Sequence, residues 1–495
     1  MQRILTPSQM CALEARAFQL GVPSLLLMED AARAAHQALN TLLGGVYGKD
    51  ILYLIGSGNN GGDGLAMARL CTIDGGHPRV LLTAQPATKD ASANLAYAQV
   101  MGIPVSIWTP ETDPSLLEKP DAVVDAIFGT GFHDALPAKL EGLTSLVKGY
   151  RVPVIALDAP SGMNSNSGKV PGGIFPASHT VALGYLKTGL CLTLHPEYTG
   201  QLTAVPINIP ETAWQALAGE SIITALEPGD LRDRLPKRRI NAHKGDCGRL
   251  LLYMGSMGMA GAAAMAAQAA AAAMRTGAGL VTFACERELI PVLQTLVPNA
   301  MCIPVEQAAK QPPPYDVLAL GCGLGKSETV WNNILALWRA DSPSVWDADA
   351  LNLLSEHPMS LGPKAVVTPH PGEAARLLSM STEAVAIEPL DAAEALMLKY
   401  KCTVVLKGAV SVIKDSRRTM LNLVGSANLA RGGSGDALTG ILASLMAQQK
   451  GETPLDSSAT ACLWFGLAAR EAGRRHGMLS ALTGDVIDCL SPVST

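Results

Sequence analysis

Short aliphatic runs that close on glycine or aspartate recur along this chain, and they limit its fold more than any other feature. In the first half they read ILYLI at 51–55, RVLLTA at 79–84, DAVVDAIF at 121–128, PVIALD at 153–158 and HTVALGY at 179–185, with helical patterns between them. Strands alternating with helices form βαβ units around a mostly parallel sheet. The second half restarts with RLLLYMG at 249–255 and continues through 279–285, 316–323, 343–351, 365–373 and TVVLKGAVSVI at 403–413, which predicts a second doubly wound sheet. Residues 206–242 turn to proline and charge without a strand pattern, so the expected domains are 1–220 and 221–495. The halves share no motif, which points to fusion of two different domains rather than duplication.

Composition supports two packed α/β domains. The chain has 495 residues, 48% hydrophobic and only 16% charged, which excludes a disordered polymer. A net charge of −5 with both signs interspersed gives no global field for nucleic acid or an anionic membrane, and the run Lys237, Arg238, Arg239 reads as a solvated face. Ten scattered cysteines without a CxxC pair fit reduced thiols in the cytoplasm. Thr6-Pro7-Ser8-Gln9 reads as a capped helix start rather than a signal peptide, and the alanine-rich stretch 259–274 as a tightly packed helix, too short to span a membrane. The expected partners are small molecules and further copies of the chain.

Two glycine-rich turns carry the chemistry. After the run 51–55 comes Gly56-Ser57-Gly58-Asn59-Asn60-Gly61-Gly62-Asp63-Gly64, then a helix. Such a turn offers backbone N–H groups and the positive end of a helix dipole to phosphate. The run 121–128 ends in Asp125 and leads to Gly129-Thr130-Gly131-Phe132, and 153–158 ends in Asp158-Ala159-Pro160-Ser161-Gly162. Ligands of an open parallel sheet bind at the carboxyl ends of strands, so the three turns should meet in one crevice. Asn60, Asp125, Asp158 and Ser161 supply oxygens there for a hard cation or for proton transfer. In the second half, Arg431-Gly432-Gly433-Ser434-Gly435-Asp436 opens a helix, a design for enclosing a transferring phosphoryl group with Asp436 as base or, more simply, as a helix cap. Lys407-Gly408-Ala409-Val410-Ser411 upstream adds a cation and a turn for nucleotide phosphate.

These motifs resemble a known family. GSGNNGGDG, VDAIFGTGF and DAPSGMNSNSG are similar to the N-terminal epimerase domain of the NAD(P)H-hydrate repair enzymes over about residues 1–215. The resemblance implies that Asn59, Asn60, Gly61, Gly62 and Asp63, with Gly129, Thr130, Gly131, Phe132, His133, Asp134 and Ala135, hold the damaged dinucleotide. It further implies potassium on Asn60, Asp125 and Ser161, with Asp158 touching substrate near the reactive carbon. Met28-Glu29-Asp30-Ala31-Ala32 departs from the family's usual MENAG.

Across about 225–495, His243-Lys244-Gly245, the segment 255–267, Gly321-Cys322-Gly323-Leu324-Gly325, Asp347-Ala348-Asp349, Thr368-Pro369-His370-Pro371-Gly372-Glu373 and GGSGD resemble the ADP-dependent dehydratase domain of the same family, on a ribokinase-like α/β fold. That likeness implies Ala262, Gly323 and His370 for the hydrate. It implies 407–411 and 426–435, among them Asn428, Gly433, Ser434 and Gly435, for ADP, magnesium on the ADP phosphates, and Asp436 for catalysis. GGSGD replaces the usual GGTGD, and Asn428-Leu429 departs from the commoner NPGMA context. The expected function is epimerisation of R- and S-NADHX and NADPHX followed by ADP-dependent dehydration of the S form. A small-molecule kinase of the same superfamily, acting on a vitamin precursor with a nucleotide-binding regulatory N-terminal half, is the alternative. A non-catalytic nucleotide sensor would tolerate loss of Asp158 and Asp436, and both are present.

Overall fold

Alternate residues of the strand Asp50–Ile55 serve two different cores, which is what a strand buried on both faces requires. Ile51, Tyr53 and Ile55 pack with helices Ser24–Leu43 and Asn59–Ile73, while Leu52 and Leu54 pack with helix Glu141–Tyr150. The result is a three-layer unit. The computed structural model describes residues 1–109, 111–112, 117–257 and 260–490. Its chain divides into two units, Arg3–Ile222 and, with the first two residues, Ile223–Thr495.

In the N-terminal unit seven parallel strands lie in the order Val105–Ile107, His77–Leu82, Asp50–Ile55, Ala122–Ala126, Val154–Leu157, His179–Leu183, Gln201–Val205. The order reverses beside Asp50–Ile55, so the turns that follow it and Ala122–Ala126 diverge and leave a crevice between them. The two outermost strands were not anticipated. Both lie at the edges of the sheet and are mostly half-buried or exposed, so VSI and QLTAV lack the continuous apolar run that marks the inner strands. A short parallel pairing of Leu186–Lys187 with Gln2–Leu5 fixes where Lys187 sits. Helix Pro7–Gln19 begins with the expected capping box, Thr6 accepting from the Gln9 N–H and Gln9 accepting from the Thr6 N–H.

Among the described residues the C-terminal unit carries ten strands in the order Met301–Pro304, Leu280–Cys285, Arg249–Tyr253, Val317–Leu320, Ser344–Trp346, Ala365–Val367, Thr403–Leu406, Ser411–Lys414, Thr419–Asn422, Ile223–Ala225. The first seven are parallel. The run 403–413 is not one strand: Thr403–Leu406 and Ser411–Lys414 pair antiparallel around a turn at 407–410, and Thr419–Asn422 follows antiparallel. The junction region also contains a strand, Ile223–Ala225, paired with Thr419–Asn422. Helix Ala260–Arg275 packs on helix Ser434–Gln448 at backbone distance, since a Cβ on Gly440 would lie 2.0 Å from the Ala269 carbonyl oxygen. Alanine is what such an approach permits. Gly258 and Met259, at the start of the alanine-rich stretch, lie outside the described residues. No helix among the described residues is long and apolar enough to cross a membrane.

Candidate functional site

Asp158 follows strand Val154–Leu157 with φ +67°, a left-handed backbone that a non-glycine residue adopts only when its surroundings enforce it. Those surroundings are specific. The Thr130 N–H donates to Oδ2 at 2.9 Å, the Thr130 hydroxyl donates to the same oxygen, and Lys187 Nζ donates to Oδ1 at 2.5 Å and to the Leu183 carbonyl at 2.8 Å. Lys187 is 1% exposed. Burial favours a protonated Asp158, but the Lys187 charge and these hydrogen bonds outweigh it and hold the carboxyl below its ordinary range.

Asp125, fully buried, accepts from the Ser161 N–H at 2.8 Å, the Ser161 hydroxyl at 2.6 Å and the Ile127 N–H at 3.2 Å. Burial still pushes it up to about 6. The Ser161 oxygen in turn accepts from the Phe128 N–H at 2.9 Å. Asn60 shows the opposite condition, since both amide atoms are buried without a partner among the described residues. A Cβ on Gly129 would lie 3.2 Å from Asn60 Cβ and 3.3 Å from Asp158 Oδ2, so the missing side chain is what lets those two groups approach.

A cavity of about 390 Å³ joins these turns, lined by 57–60, Asp63, 127–132, Asp158 and Lys187. Gly61, Gly62, His133, Asp134 and Ala135 are not in its lining. Gly61 and Gly62 serve helix packing instead: a Cβ on Gly61 would lie 2.2 Å from the Gly56 carbonyl oxygen, and one on Gly62 2.7 Å from Met28 Cε. His133 faces Asn164, and Ala135 packs against Gly172. Sequence reasoning missed Lys187 and the wall supplied by Met10, Cys11 and Glu14 of helix Pro7–Gln19. A lysine ending the apolar run HTVALGYL was the available signal for the first, and nothing local marked the helix residues.

In the C-terminal unit, helix Ser434–Gln448 starts from Gly433 at φ +88°, where a Cβ would also lie 2.4 Å from Gln268 Oε1. Asp436 is therefore the third residue of the helix and not its cap. Burial and the nearby Asp347 charge raise its carboxyl, opposed by the Cys322 thiol and Lys407. Lys407 Nζ donates to Asp347 Oδ1 at 2.7 Å and lies 4.0 Å from Glu373, and Thr439 donates to Asp347 Oδ2 at 3.0 Å. Burial would protonate Asp347, but Lys407 and the hydrogen bonds hold it low. His370 caps helix Pro371–Leu378, its Nδ1 accepting from the Gly372 N–H at 3.0 Å, and burial together with the Lys407 charge lowers the ring's proton affinity.

A cavity of about 910 Å³ brings together His370, Lys407, Gly408, Ala409, Ser411, Ser434, Gly435 and Asp436, along with Asp347, Glu373 and the loop 422–427. Asn428, Val410, Gly433, Ala262 and Gly323, five of the expected residues, lie elsewhere. Asn428 turns inward, its amide donating to the Ala469 carbonyl at 2.8 Å, and Val410 and Gly433 are not in the lining. Ala262 lies against Gly323, whose Cβ would be 2.1 Å from that of Ala262, and neither lines this cavity. Asp347 and Glu373 were present in quoted motifs but had been given no role.

Residues 250–492 match the NAD(P)H-hydrate dehydratase family model, and residues 24–189 match that of the YjeF-related protein N-terminus. The bifunctional NAD(P)H-hydrate repair enzyme Nnr of Coxiella burnetii (strain RSA 493 / Nine Mile phase I) is 36% identical over 485 residues, 97% of this chain and 96% of that protein. The chain belongs to the bifunctional NAD(P)H-hydrate repair enzymes. Its counterpart from Escherichia coli (strain K12) is 34% identical over 479 residues, covering 96% of this chain and 90% of that protein. The ADP/ATP-dependent NAD(P)H-hydrate dehydratase from Bacillus subtilis, co-crystallised with ATP and Mg²⁺, is 29% identical over 54% of this chain and 96% of its own, with a TM-score of 0.49. As a repair enzyme of this family the chain joins an N-terminal epimerase domain to a C-terminal dehydratase domain, each built on a largely parallel α/β sheet. The small-molecule kinase reading gives way to it.

Proposed function

We propose that the N-terminal cavity interconverts the R and S epimers of NADHX and NADPHX, and that the C-terminal cavity returns the S epimer to NADH or NADPH while ADP is cleaved to AMP and phosphate. The carrying observation is that each unit has its own cavity lined by an aspartate from a motif of the matching domain, the buried Asp158 in one and the half-buried Asp436 in the other. On this reading Arg3–Ile222 is the epimerase and Ile223 onward the dehydratase.

Hydroxide leaves the hydrated ring poorly, and moving a phosphoryl group onto its oxygen makes it a good leaving group. Asp436 accepts the hydroxyl proton as that oxygen attacks, and its raised proton affinity suits the task. The N–H groups at the start of helix Ser434–Gln448 take the charge of the transferred group. The turn 407–411 and Ser434 orient the nucleotide, with the Lys407–Asp347 pair holding that turn to the sheet. Among the described residues no three His, Cys, Asp or Glu side chains form a metal cage, which suits magnesium carried on nucleotide phosphates and water.

Asn60 lines the epimerase cavity, and the hydrogen-bonded Asp125 and Ser161 lie beneath it, outside the lining; together they offer an amide, a carboxylate and a hydroxyl without sulfur or imidazole, a set that fits potassium better than zinc. Potassium there would hold the three turns around the dinucleotide. Exposed Phe18, Leu20, Leu25 and Leu26 offer an apolar face for a homo-oligomer, and ten free cysteines suit the cytoplasm. Chromatography of mixed NADHX epimers incubated with the chain tests the reading. Epimers should equilibrate without ADP, and NADH, AMP and phosphate should appear only with it. A phosphorylated product that accumulates would overturn the dehydratase assignment.

A further inference from the structure

One buried carboxyl in the N-terminal cavity, expected from its motif to help hold the dinucleotide, is given no chemical step by this reading. Asp63, near the start of helix Asn59–Ile73, is 7% exposed and lines the cavity. Among the described residues its carboxyl has neither a hydrogen bond nor a salt bridge. Asp158, from a different wall, has four donors. The same cavity therefore holds one carboxyl locked by the protein and one left open to whatever enters.

Epimerisation of a hydrated dihydronicotinamide calls for two such groups. Water adds to the enamine of that ring with its oxygen on the carbon bonded to the ring nitrogen, so the stereocentre is a carbinolamine. Its hand reverses when the C–O bond breaks, the nitrogen lone pair closes a C=N bond, and water returns to the opposite face. The departing hydroxyl has to gain a proton, and the incoming water has to lose one.

We propose that Asp63 is the acid that protonates the departing hydroxyl, while Asp158 takes the proton of the water entering from the other side. This rests on the epimerase reading of the cavity. In the step, the Asp63 O–H bond breaks, the ring C–O pair leaves as water, and the nitrogen pair forms C=N. The new water then forms a C–O bond, gives a proton to Asp158, and the nitrogen recovers its pair. Nothing is oxidised or reduced. One proton has moved from Asp63 to Asp158, and exchange with solvent resets the pair; the transposed state is the one that processes the opposite epimer.

The surroundings separate the two carboxyls. Burial, with the charges of Asp158 and Glu14, favours the proton on Asp63 against the pull of Lys187, whereas Lys187 and Thr130 keep Asp158 ionised. Cys11 and Glu14 of helix Pro7–Gln19 are the remaining titratable groups in the lining.

The test uses the full chain with NADHX in ¹⁸O-water, without ADP. The native protein should incorporate one solvent oxygen per epimerisation. Asp63→Asn should lower kcat by about 10²–10⁴-fold with little change in KM, remove the alkaline limb of the pH profile, and leave Tm undiminished because no native partner is lost. Asp63→Glu should restore part of the rate. Retention of the original oxygen, a kcat within about twofold in the Asn variant, or a loss of rate that follows a lowered Tm overturns the assignment. A native chain that epimerises nothing overturns the reading of the cavity instead.

Discussion

Both cavities contain a lysine–aspartate pair, fully buried in the first and with a half-buried lysine in the second, but the pair stands in opposite relation to the candidate catalytic group. In the N-terminal unit Lys187 binds Asp158 itself at 2.5 Å. In the C-terminal unit Lys407 binds Asp347 at 2.7 Å and leaves Asp436 beside the pair. One arrangement holds its aspartate ionised. The other lets burial and a neighbouring negative charge raise the proton affinity of the free carboxyl. A hydroxyl about to attack phosphorus needs a group eager for its proton, and Asp436 is placed to be one.

The sharpest break in this comparison comes from removing the free carboxyl. Asp436→Asn should cut ADP-dependent dehydration by about 10²–10⁴-fold, as measured by NADH appearance, while epimer interconversion continues at its former rate. Dehydration at a near-native rate would remove Asp436 from the chemistry and with it the contrast between the two sites.

Removing each lysine separates the pairs next. Lys187→Met leaves Asp158 buried and uncompensated, which should cost about 3–5 kcal/mol in denaturant unfolding of the N-terminal unit at neutral pH. Asp158 is held low by Lys187, so native epimerisation should persist at acid pH and fail only as pH drops through that lowered value. Without Lys187 burial is opposed only by the remaining hydrogen bonds, chiefly those from Thr130, and the acid limb moves upward, with about tenfold of rate lost for each unit by which it passes the assay pH. Lys407→Met should instead raise the ADP concentration needed for half-maximal dehydration more than it slows saturated turnover, because Asp436 keeps its place. An acid limb unmoved in the first variant, or an unchanged ADP requirement in the second, would dissolve the distinction.

The pairs were also the part of the molecule that the sequence conceals. Fold class follows from the aliphatic runs, because inner strands buried on both faces must be apolar throughout, and the turns carrying Asn60, Asp125, Asp158 and Asp436 lie where a parallel sheet puts its ligands. Lys187 lies 29 residues from Asp158 and Lys407 lies 60 from Asp347, distances over which only the closed sheet creates a partner. The dense glycines of 56–64 were read for phosphate, yet a Cβ on Gly56 would lie 1.8 Å from the Ile127 carbonyl oxygen, so the close approach of two adjacent strand ends already demands it there. Asn428 failed for a similar reason: a motif gives proximity along the chain, while helix Pro454–His476 decides which way the amide turns.

The smallest expected effect refines the N-terminal side alone. Asp125 touches neither lysine, and its three donors come from Ser161 and Ile127, so it ties two strand-end turns together. Asp125→Ala should leave those N–H groups without an acceptor, at about 1–3 kcal/mol, less than the loss of either buried pair. If the same carboxylate helps Asn60 and Ser161 hold potassium, the variant should also lose the acceleration of epimerisation that added potassium gives the native chain, while dehydration of the S epimer proceeds unchanged in the other unit. Titrating potassium chloride against the native chain and Asp125→Ala at constant ionic strength separates the two contributions. A native potassium response in Asp125→Ala would leave Asp125 a purely structural tie and return the unpartnered Asn60 amide to the dinucleotide.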